Sequence, residues 1–153
     1  MCIRDRDEAA EFIDAYFARY PQIDAFLMKT LKACREVGYV STLFGRRREI
    51  RGIRSETNGR QRNLAERMAI NTVIQGSAAD LMKQSMINIA SRLAKEQLNT
   101  NMLLQIHDEL VFEVPAEELE LMRKIVREEM EMVAALKVPL KVDVRCGSNW
   151  AEI

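Results

Sequence analysis

Residues 7–38 carry apolar side chains at a helical period. Ala10, Ile13 and Phe17 share one face of the first stretch, and a second stripe begins just after Pro21, a residue that suits the first turn of a helix. The pattern predicts two packing helices, one over residues 7–20 and one that ends at Gly38 as its C-terminal cap.

A hairpin and a long helix are predicted next. Residues 39–50 have the pattern of a short hairpin or extended arm that turns at Gly45, and residues 58–97 carry apolar side chains at helical spacing over their whole length. Gly76 lies inside this helix, where glycine costs about 1 kcal/mol relative to alanine. We therefore expect a kink or a close backbone approach at that position.

The second half of the chain combines strands with one helix. Two apolar runs, residues 102–106 and 110–114, flank the polar triplet His107, Asp108 and Glu109, which predicts a hairpin with the triplet at its tip. A helix over residues 115–136, a one-sided strand over 140–144 and a turn anchored by Trp150 follow. The predicted fold class is α+β: an antiparallel sheet with long helices packed on one side.

Charge is uneven along a chain whose 23 basic and 23 acidic residues balance. Between Arg46 and Arg67 there are eight arginines against three glutamates, and residues 107–131 hold nine acids against three bases. Such segments suggest a surface for phosphates and a region for cations. Two ordinary solvated faces remain the alternative.

Cysteine content and hydropathy indicate the cellular setting. Three cysteines without metal-ligand spacing favour reduced thiols, and no apolar run approaches the length of a membrane span. We expect a soluble, cytoplasmic protein with no membrane partner.

Two groups of residues are candidates for chemistry. Arg67, Asn71 and Gln75 are spaced four apart, which places three donors on one helical stripe that could reach acceptors in a nucleic-acid groove. Asp108 at a hairpin tip could present a carboxylate to a metal ion. The alternatives are a solvated helix face and a solvated turn, and a single histidine is a poor zinc signal.

Several motifs in order resemble a known family. They are residues 42–48 (TLFGRRR), 65–71 (AERMAIN), 74–80 (IQGSAAD) and 105–113 (QIHDELVFE). Together they resemble the C-terminal part of family A DNA polymerases, the bacterial DNA polymerase I type, from about residue 8 to the end. The resemblance implies an incomplete domain: fingers-side helices and arm over about 7–57, and a palm with a catalytic hairpin over about 58–153. Residues 1–6 lack the helical period and are interpreted as a foreign leader.

The resemblance also implies roles for individual residues. Asp108 would be a ligand of the catalytic magnesium ions, and Glu109 would support the metal site or the primer end. His107 would contact the primer terminus, while the Arg67–Asn71–Gln75 stripe would line the minor-groove side of primer–template DNA. The family reaction joins a deoxynucleoside triphosphate to a primer 3′-hydroxyl and releases pyrophosphate.

Two patterns of that family are not found in this sequence. No aspartate before Asp108 has the strand context of a second metal ligand, and no helix carries the basic and aromatic residues that hold the incoming nucleotide. We therefore expect the chain to be inactive alone and to need the remainder of a polymerase chain. The alternatives are a non-catalytic DNA-binding module derived from the same palm and a plain structural α+β domain.

Overall fold

A computed structural model of the chain describes residues 3–54 and 59–152, with side chains from Glu8 onward. The chain divides into two compact units, Met1–Ser77 and Ala78–Ile153, and the boundary falls within the longest helix. Two two-stranded antiparallel sheets are present among the described residues. The predicted mixture of long helices and antiparallel strands is therefore confirmed.

The first unit begins with the two predicted helices. Its elements are α1 (Ile3–Arg19), α2 (Pro21–Val37), β1 (Tyr39–Ser41), β2 (Arg47–Glu49) and the first half of α3 (Gly59–Glu96). Pro21 stands in the first turn of α2, and Gly38 closes that helix with φ +86° while its N–H donates to the Cys34 carbonyl at 2.7 Å. A left-handed residue here is favourable because glycine has no Cβ to clash.

The core of the first unit joins α2, the β1–β2 hairpin and α3. Its buried residues are Leu31, Cys34, Val40, Ile50, Ile53, Ala65 and Ala69. The predicted apolar face of α1 contributes little to it, since Ala10 and Ile13 are exposed and Phe17 is only half-buried. Burial of the Cys34 thiol raises its pKa.

The second unit is built around the predicted hairpin. It contains the second half of α3, β3 (Asn101–Ile106), β4 (Glu109–Glu113) and α4 (Leu119–Glu131). A 3₁₀ turn, Ala116–Glu118, precedes α4, and the helix ends before the predicted limit of residue 136. Its buried core consists of Ile89, Leu93, Met122, Ile125 and Val126, against which one face of the hairpin packs.

The prediction of a strand over residues 140–144 is wrong. The segment alternates as expected, with Val142 and Val144 packed on the core and Lys141 and Asp143 exposed, yet it pairs with no described strand. The Val142 N–H instead donates to the carboxylate of Glu131 at 3.1 Å. Alternating apolar and polar residues indicate only that one face of the segment is buried. A strand of a sheet also requires a neighbouring strand whose backbone forms hydrogen bonds with it.

The ends of the chain differ from expectation in one respect. Trp150 lies in a 3₁₀ turn, Trp150–Glu152, and its 57% exposure shows that it does not anchor this end. Met1 and Cys2 of the predicted leader lie outside the described residues. The rest of the predicted leader lies at the start of α1, which begins at Ile3. A helical backbone does not show whether these residues are foreign, so the foreign leader stays a prediction. The division into fingers and palm also stays a prediction. No described helix combines the length and hydropathy needed to cross a membrane.

Candidate functional site

The predicted donor stripe lies on the solvent side of α3. Arg67, Asn71 and Gln75 are exposed, while the neighbouring Ala65 and Ala69 are buried in the core and orient the helix. Among the described residues, the three side chains of the stripe make no hydrogen bond or ion pair. Their donors are therefore available to a ligand.

The loop of the β1–β2 hairpin packs directly on α3 beside this stripe. A Cβ placed on Gly76 would lie 3.0 Å from Cγ2 of Thr42. The Leu43 N–H donates to Oγ of Ser77 at 2.8 Å, and Nη2 of Arg46 donates to the Gly76 carbonyl at 3.2 Å. The expected close backbone approach at Gly76 is thus confirmed, and it holds the helical turn that carries Gln75.

The consecutive arginines of the hairpin are used differently from one another. Nη1 of Arg48 donates to Oγ1 of Thr72 at 3.1 Å, on the same side as the Arg46 contact with α3. The Arg47 guanidinium lies 4.8 Å from the centre of the Tyr39 ring, a cation–π geometry. Two of the three arginines therefore help to dock the hairpin, a role that the sequence pattern did not indicate.

The hairpin tip of the second unit is a two-residue loop. His107 and Asp108 form the turn, and Glu109 is the first residue of β4, paired with Ile106. His107 has φ +53°, and its carbonyl accepts a hydrogen bond from Nε2 of Gln105 at 3.0 Å. A positive φ at the first loop position suits tight hairpins, although a side chain makes it costly.

The tip offers carboxylates to solvent. Asp108 and Glu109 are both exposed. In the part of the chain that the structure describes, no group of three or more His, Cys, Asp or Glu side chains could hold a metal ion. Magnesium commonly takes one or two carboxylates and completes its octahedron with water and substrate phosphates. The donor set at the tip fits such an ion only if most ligands come from elsewhere.

The candidate residues fall into two groups, each within one unit. The first unit carries Arg67, Asn71 and Gln75, and the second carries His107, Asp108 and Glu109. The stripe residues lie on the exposed side of α3, and the tip residues lie in the turn and at the first position of β4.

Sequence reasoning missed the residue that supports the base of the hairpin. The buried Glu118 carboxylate accepts the Thr100 hydroxyl at 2.7 Å and the backbone N–H groups of Asn99 at 2.8 Å and Thr100 at 2.9 Å. These hydrogen bonds, that of the Thr100 hydroxyl foremost, lower the pKa of Glu118. From the sequence alone, this glutamate was interpreted only as an acidic residue that interacts favourably with the dipole at the start of a helix.

Comparison with protein families gives one match across nearly the whole chain. The family model described as "DNA polymerase family A" matches residues 3–152. DNA polymerase I of Caldicellulosiruptor bescii is 50% identical over 147 residues, which is 96% of this chain and 17% of that protein. DNA polymerase I of Bacillus caldotenax is 48% identical over 95% of this chain and 16% of its own length. The chain thus spans about one sixth of the length of these relatives.

A solved structure has a similar fold. It is described as "POL domain of Pol1 from M. smegmatis complex with DNA primer-template and dNTP". The TM-score is 0.84 at 39% sequence identity, and the match covers 88% of this chain and 24% of the other. The similarity therefore extends from the motifs to the fold.

Proposed function

The chain belongs to DNA polymerase family A, and on that premise we propose that it holds primer–template DNA and contributes one magnesium carboxylate to template-directed DNA synthesis in the cytoplasm. The observation that carries the proposal is the donor stripe of α3. The side chains of Arg67, Asn71 and Gln75 are exposed and make no hydrogen bonds with other described residues.

The stripe suits DNA of any sequence. In the minor groove, N3 of purines and O2 of pyrimidines present similar acceptors at every base pair. An arginine and two amides one turn apart can donate to such acceptors without selecting a base. A polymerase needs contacts of this kind because it copies every template, and the M. smegmatis polymerase domain is bound to a primer–template.

The hairpin tip carries the residues that we propose for the chemical step. Asp108 is the proposed magnesium ligand, Glu109 supports the metal site or the primer end, and His107 contacts the primer terminus. A tight hairpin packed on the core of its unit is a rigid support for a ligand of this kind. Bound magnesium would stabilise the charge that develops on the attacking and leaving oxygens of phosphoryl transfer.

We propose that the chain is inactive alone. Phosphoryl transfer of this type uses two metal ions, which a single carboxylate pair at one tip positions poorly. The two adjacent carboxylates of this tip, Asp108 and Glu109, form such a pair. A second aspartate and the groups that hold the deoxynucleoside triphosphate would come from the remainder of a polymerase chain.

A primer-extension assay tests the proposal. The purified chain is mixed with labelled primer–template, deoxynucleoside triphosphates and magnesium, and binding of the same DNA is followed by fluorescence anisotropy. We expect binding without extension. Magnesium-dependent extension that disappears in Asp108→Ala would refute inactivity, and absence of salt-sensitive DNA binding would refute the DNA-holding role.

Mixing the chain with the remainder of a polymerase distinguishes the proposed enzymatic role from the non-catalytic DNA-binding role. The chain is mixed with a family A polymerase truncated before the region corresponding to α1. Lys124→Ala, which changes an exposed residue of α4, serves as the surface control. Extension restored by the wild-type chain and by this control, but not by Asp108→Ala, supports the enzyme role. Equal restoration by Asp108→Ala would support the non-catalytic module.

A further inference from the structure

The β3–β4 hairpin is held to its unit mainly through one apolar face. Its two strands form a two-stranded sheet, and no other described strand pairs with either outer edge. Met102, Leu110 and Phe112 pack on the buried core of the second unit. Burial of apolar surface is a non-directional interaction, so it resists lifting of the hairpin from the core more than sliding along it. The orientation of the hairpin along the core therefore needs a directional contact.

Glu118 makes such contacts at the base of the hairpin. Its Oε1 accepts the N–H of Asn99 at 2.8 Å, and its Oε2 accepts the N–H and the hydroxyl of Thr100 at 2.9 and 2.7 Å. Asn99 and Thr100 immediately precede β3, whereas Glu118 lies in the 3₁₀ turn that follows β4. One carboxylate thus joins the segment that enters the hairpin to the segment that leaves it.

These hydrogen bonds are protected from water. Glu118 is 8% exposed and Thr100 is 6% exposed. Hydrogen bonds to an ionised carboxylate are shorter and stronger than those between neutral groups. An N–H group that loses its acceptor in a buried position is not readily satisfied by solvent. The base of the hairpin therefore has one strongly preferred geometry while the carboxylate is present.

A small displacement at the base becomes larger at the tip. β3 contains six residues, Asn101–Ile106. At about 3.3 Å per residue the strand is about 20 Å long, so a tilt of about 3° at the base would move Asp108 by about 1 Å. Misplacement of a catalytic group by that distance can lower a rate about a hundredfold. The contacts of Glu118 are therefore able to influence chemistry at the other end of the hairpin.

We propose that Glu118 is a positioning residue for the chemical step, because its carboxylate fixes the base of the β3–β4 hairpin and thereby the place at which Asp108 presents its own carboxylate. Glu118 lies at the end of the hairpin opposite the tip, so it acts through the strands and not on the metal ion. The inference rests on the proposed function, since it needs Asp108 to act at the tip.

Primer extension by the chain mixed with the truncated polymerase tests the kinetic consequence. Glu118→Gln should lower kcat about tenfold to a hundredfold. The affinity for primer–template should stay unchanged, because the donor stripe lies in the first unit. Glu118→Asp keeps the charge but is one methylene shorter, so it should retain an intermediate kcat. All variants are assayed at a temperature at which circular dichroism shows them folded.

A destabilised variant with an intact carboxylate is the matched control. Ile125→Val removes one methylene from the buried core of the same unit and leaves the Glu118 hydrogen bonds in place. It should lower the melting temperature and retain the wild-type kcat. A loss of kcat in this control equal to that in Glu118→Gln would show a general effect of stability and would overturn the positioning role.

A distance measurement on the chain alone tests the position of the tip without any activity. Spin labels are attached at Asp108→Cys on the tip and Arg127→Cys on the exposed side of α4, with Cys2 and Cys146 replaced by serine. Double electron–electron resonance then gives the distribution of distances between the labels. We expect a narrow distribution with Glu118 present and a broader or shifted one with Glu118→Gln.

The outcomes separate the positioning role from the proposed function. An unchanged kcat in Glu118→Gln, in a mixture that Asp108→Ala inactivates, overturns the positioning role and leaves the proposed function standing. Full activity of Asp108→Ala overturns the proposed function instead. An unchanged distance distribution in Glu118→Gln also overturns the positioning role, whether or not the mixture extends the primer.

Discussion

The Cγ2 methyl of Thr42 lies 3.0 Å from the position that a Cβ on Gly76 would occupy. Thr42 is buried, and its N–H and Oγ1 both bond the backbone of Arg46, at 2.9 and 3.2 Å. The threonine is thus held in place by its own hairpin loop. The close contact explains why glycine stands inside a helix where alanine would have the better intrinsic propensity.

We expect Gly76→Val to destabilise the chain by about 1–3 kcal/mol, because the added side chain must displace the hairpin loop. Gly76→Ala should fail to gain the roughly 1 kcal/mol that alanine usually provides in a helix. Urea denaturation followed by circular dichroism measures both changes.

Two control variants identify the cause. Thr42→Ser removes the Cγ2 methyl but keeps the hydroxyl, so Gly76→Ala should become more favourable in that background. Gly59→Ala, at a position where the described residues leave open space around the added Cβ, should be neutral or stabilising. If Thr42→Ser left the effect of Gly76→Ala unchanged, the steric explanation would be wrong.

The donor stripe predicts different salt dependences for its members. Asn71→Ala and Gln75→Ala should each weaken duplex binding by about 0.5–1.5 kcal/mol, the usual net value of a hydrogen bond, without changing its dependence on salt. Arg67→Ala should weaken binding and also lower the steepness of that dependence, since it removes a positive charge. Anisotropy titrations at several salt concentrations measure these effects. Gln22→Ala, an exposed amide of α2, is the control, and an equal loss there would argue against a specific stripe.

The left-handed backbone of His107 predicts the response of the tip to substitution. His107→Val should destabilise the chain by about 1–2 kcal/mol relative to His107→Gly, because a β-branched side chain is strained at φ +53°. Thermal or urea unfolding compares the two variants. The same pair of substitutions at Glu109, an exposed strand residue, should favour valine instead. A preference for valine at both positions would contradict the backbone assignment.

The lowered pKa of Glu118 predicts loss of stability in acid. A carboxyl whose pKa falls below its usual value of 4.5 on folding stabilises the fold above that pH, and this contribution disappears as the pH falls through the folded-state pKa. Glu118→Gln should therefore lower the melting temperature near neutral pH, and the difference from wild type should shrink in acid. Glu117→Gln, at the exposed neighbouring position, is the control and should change the melting temperature little.

Local pattern was sufficient for much of the candidate site. The spacing of Arg67, Asn71 and Gln75 placed them on one stripe, and the apolar residues around it indicated which side of the helix faces the core. The two apolar runs around His107 and Asp108 were likewise sufficient to predict a hairpin. In both cases the relevant neighbours lie within a few residues in the sequence, so the geometry follows from the period of the element.

Other features depended on contacts between distant residues. Glu118 reaches Thr100, and Thr42 approaches Gly76, across intervals that carry no periodic signal. The exposure of Trp150 and of much of α1 likewise reflects what does or does not pack against them.

The sequence by itself determined the long helices, the hairpin around His107 and Asp108, the order of the motifs and the family, and it left residues 39–50 as a hairpin or an extended arm. Helical hydrogen bonds join residues four apart, and a tight hairpin joins adjacent segments, so both are encoded locally. Only the tertiary structure decided that residues 140–144 pair with no described strand, that His107 adopts a left-handed backbone and that Thr42 packs against Gly76. Each of these outcomes depends on which backbone or side chain is available nearby in space, and that information is not contained in a local pattern.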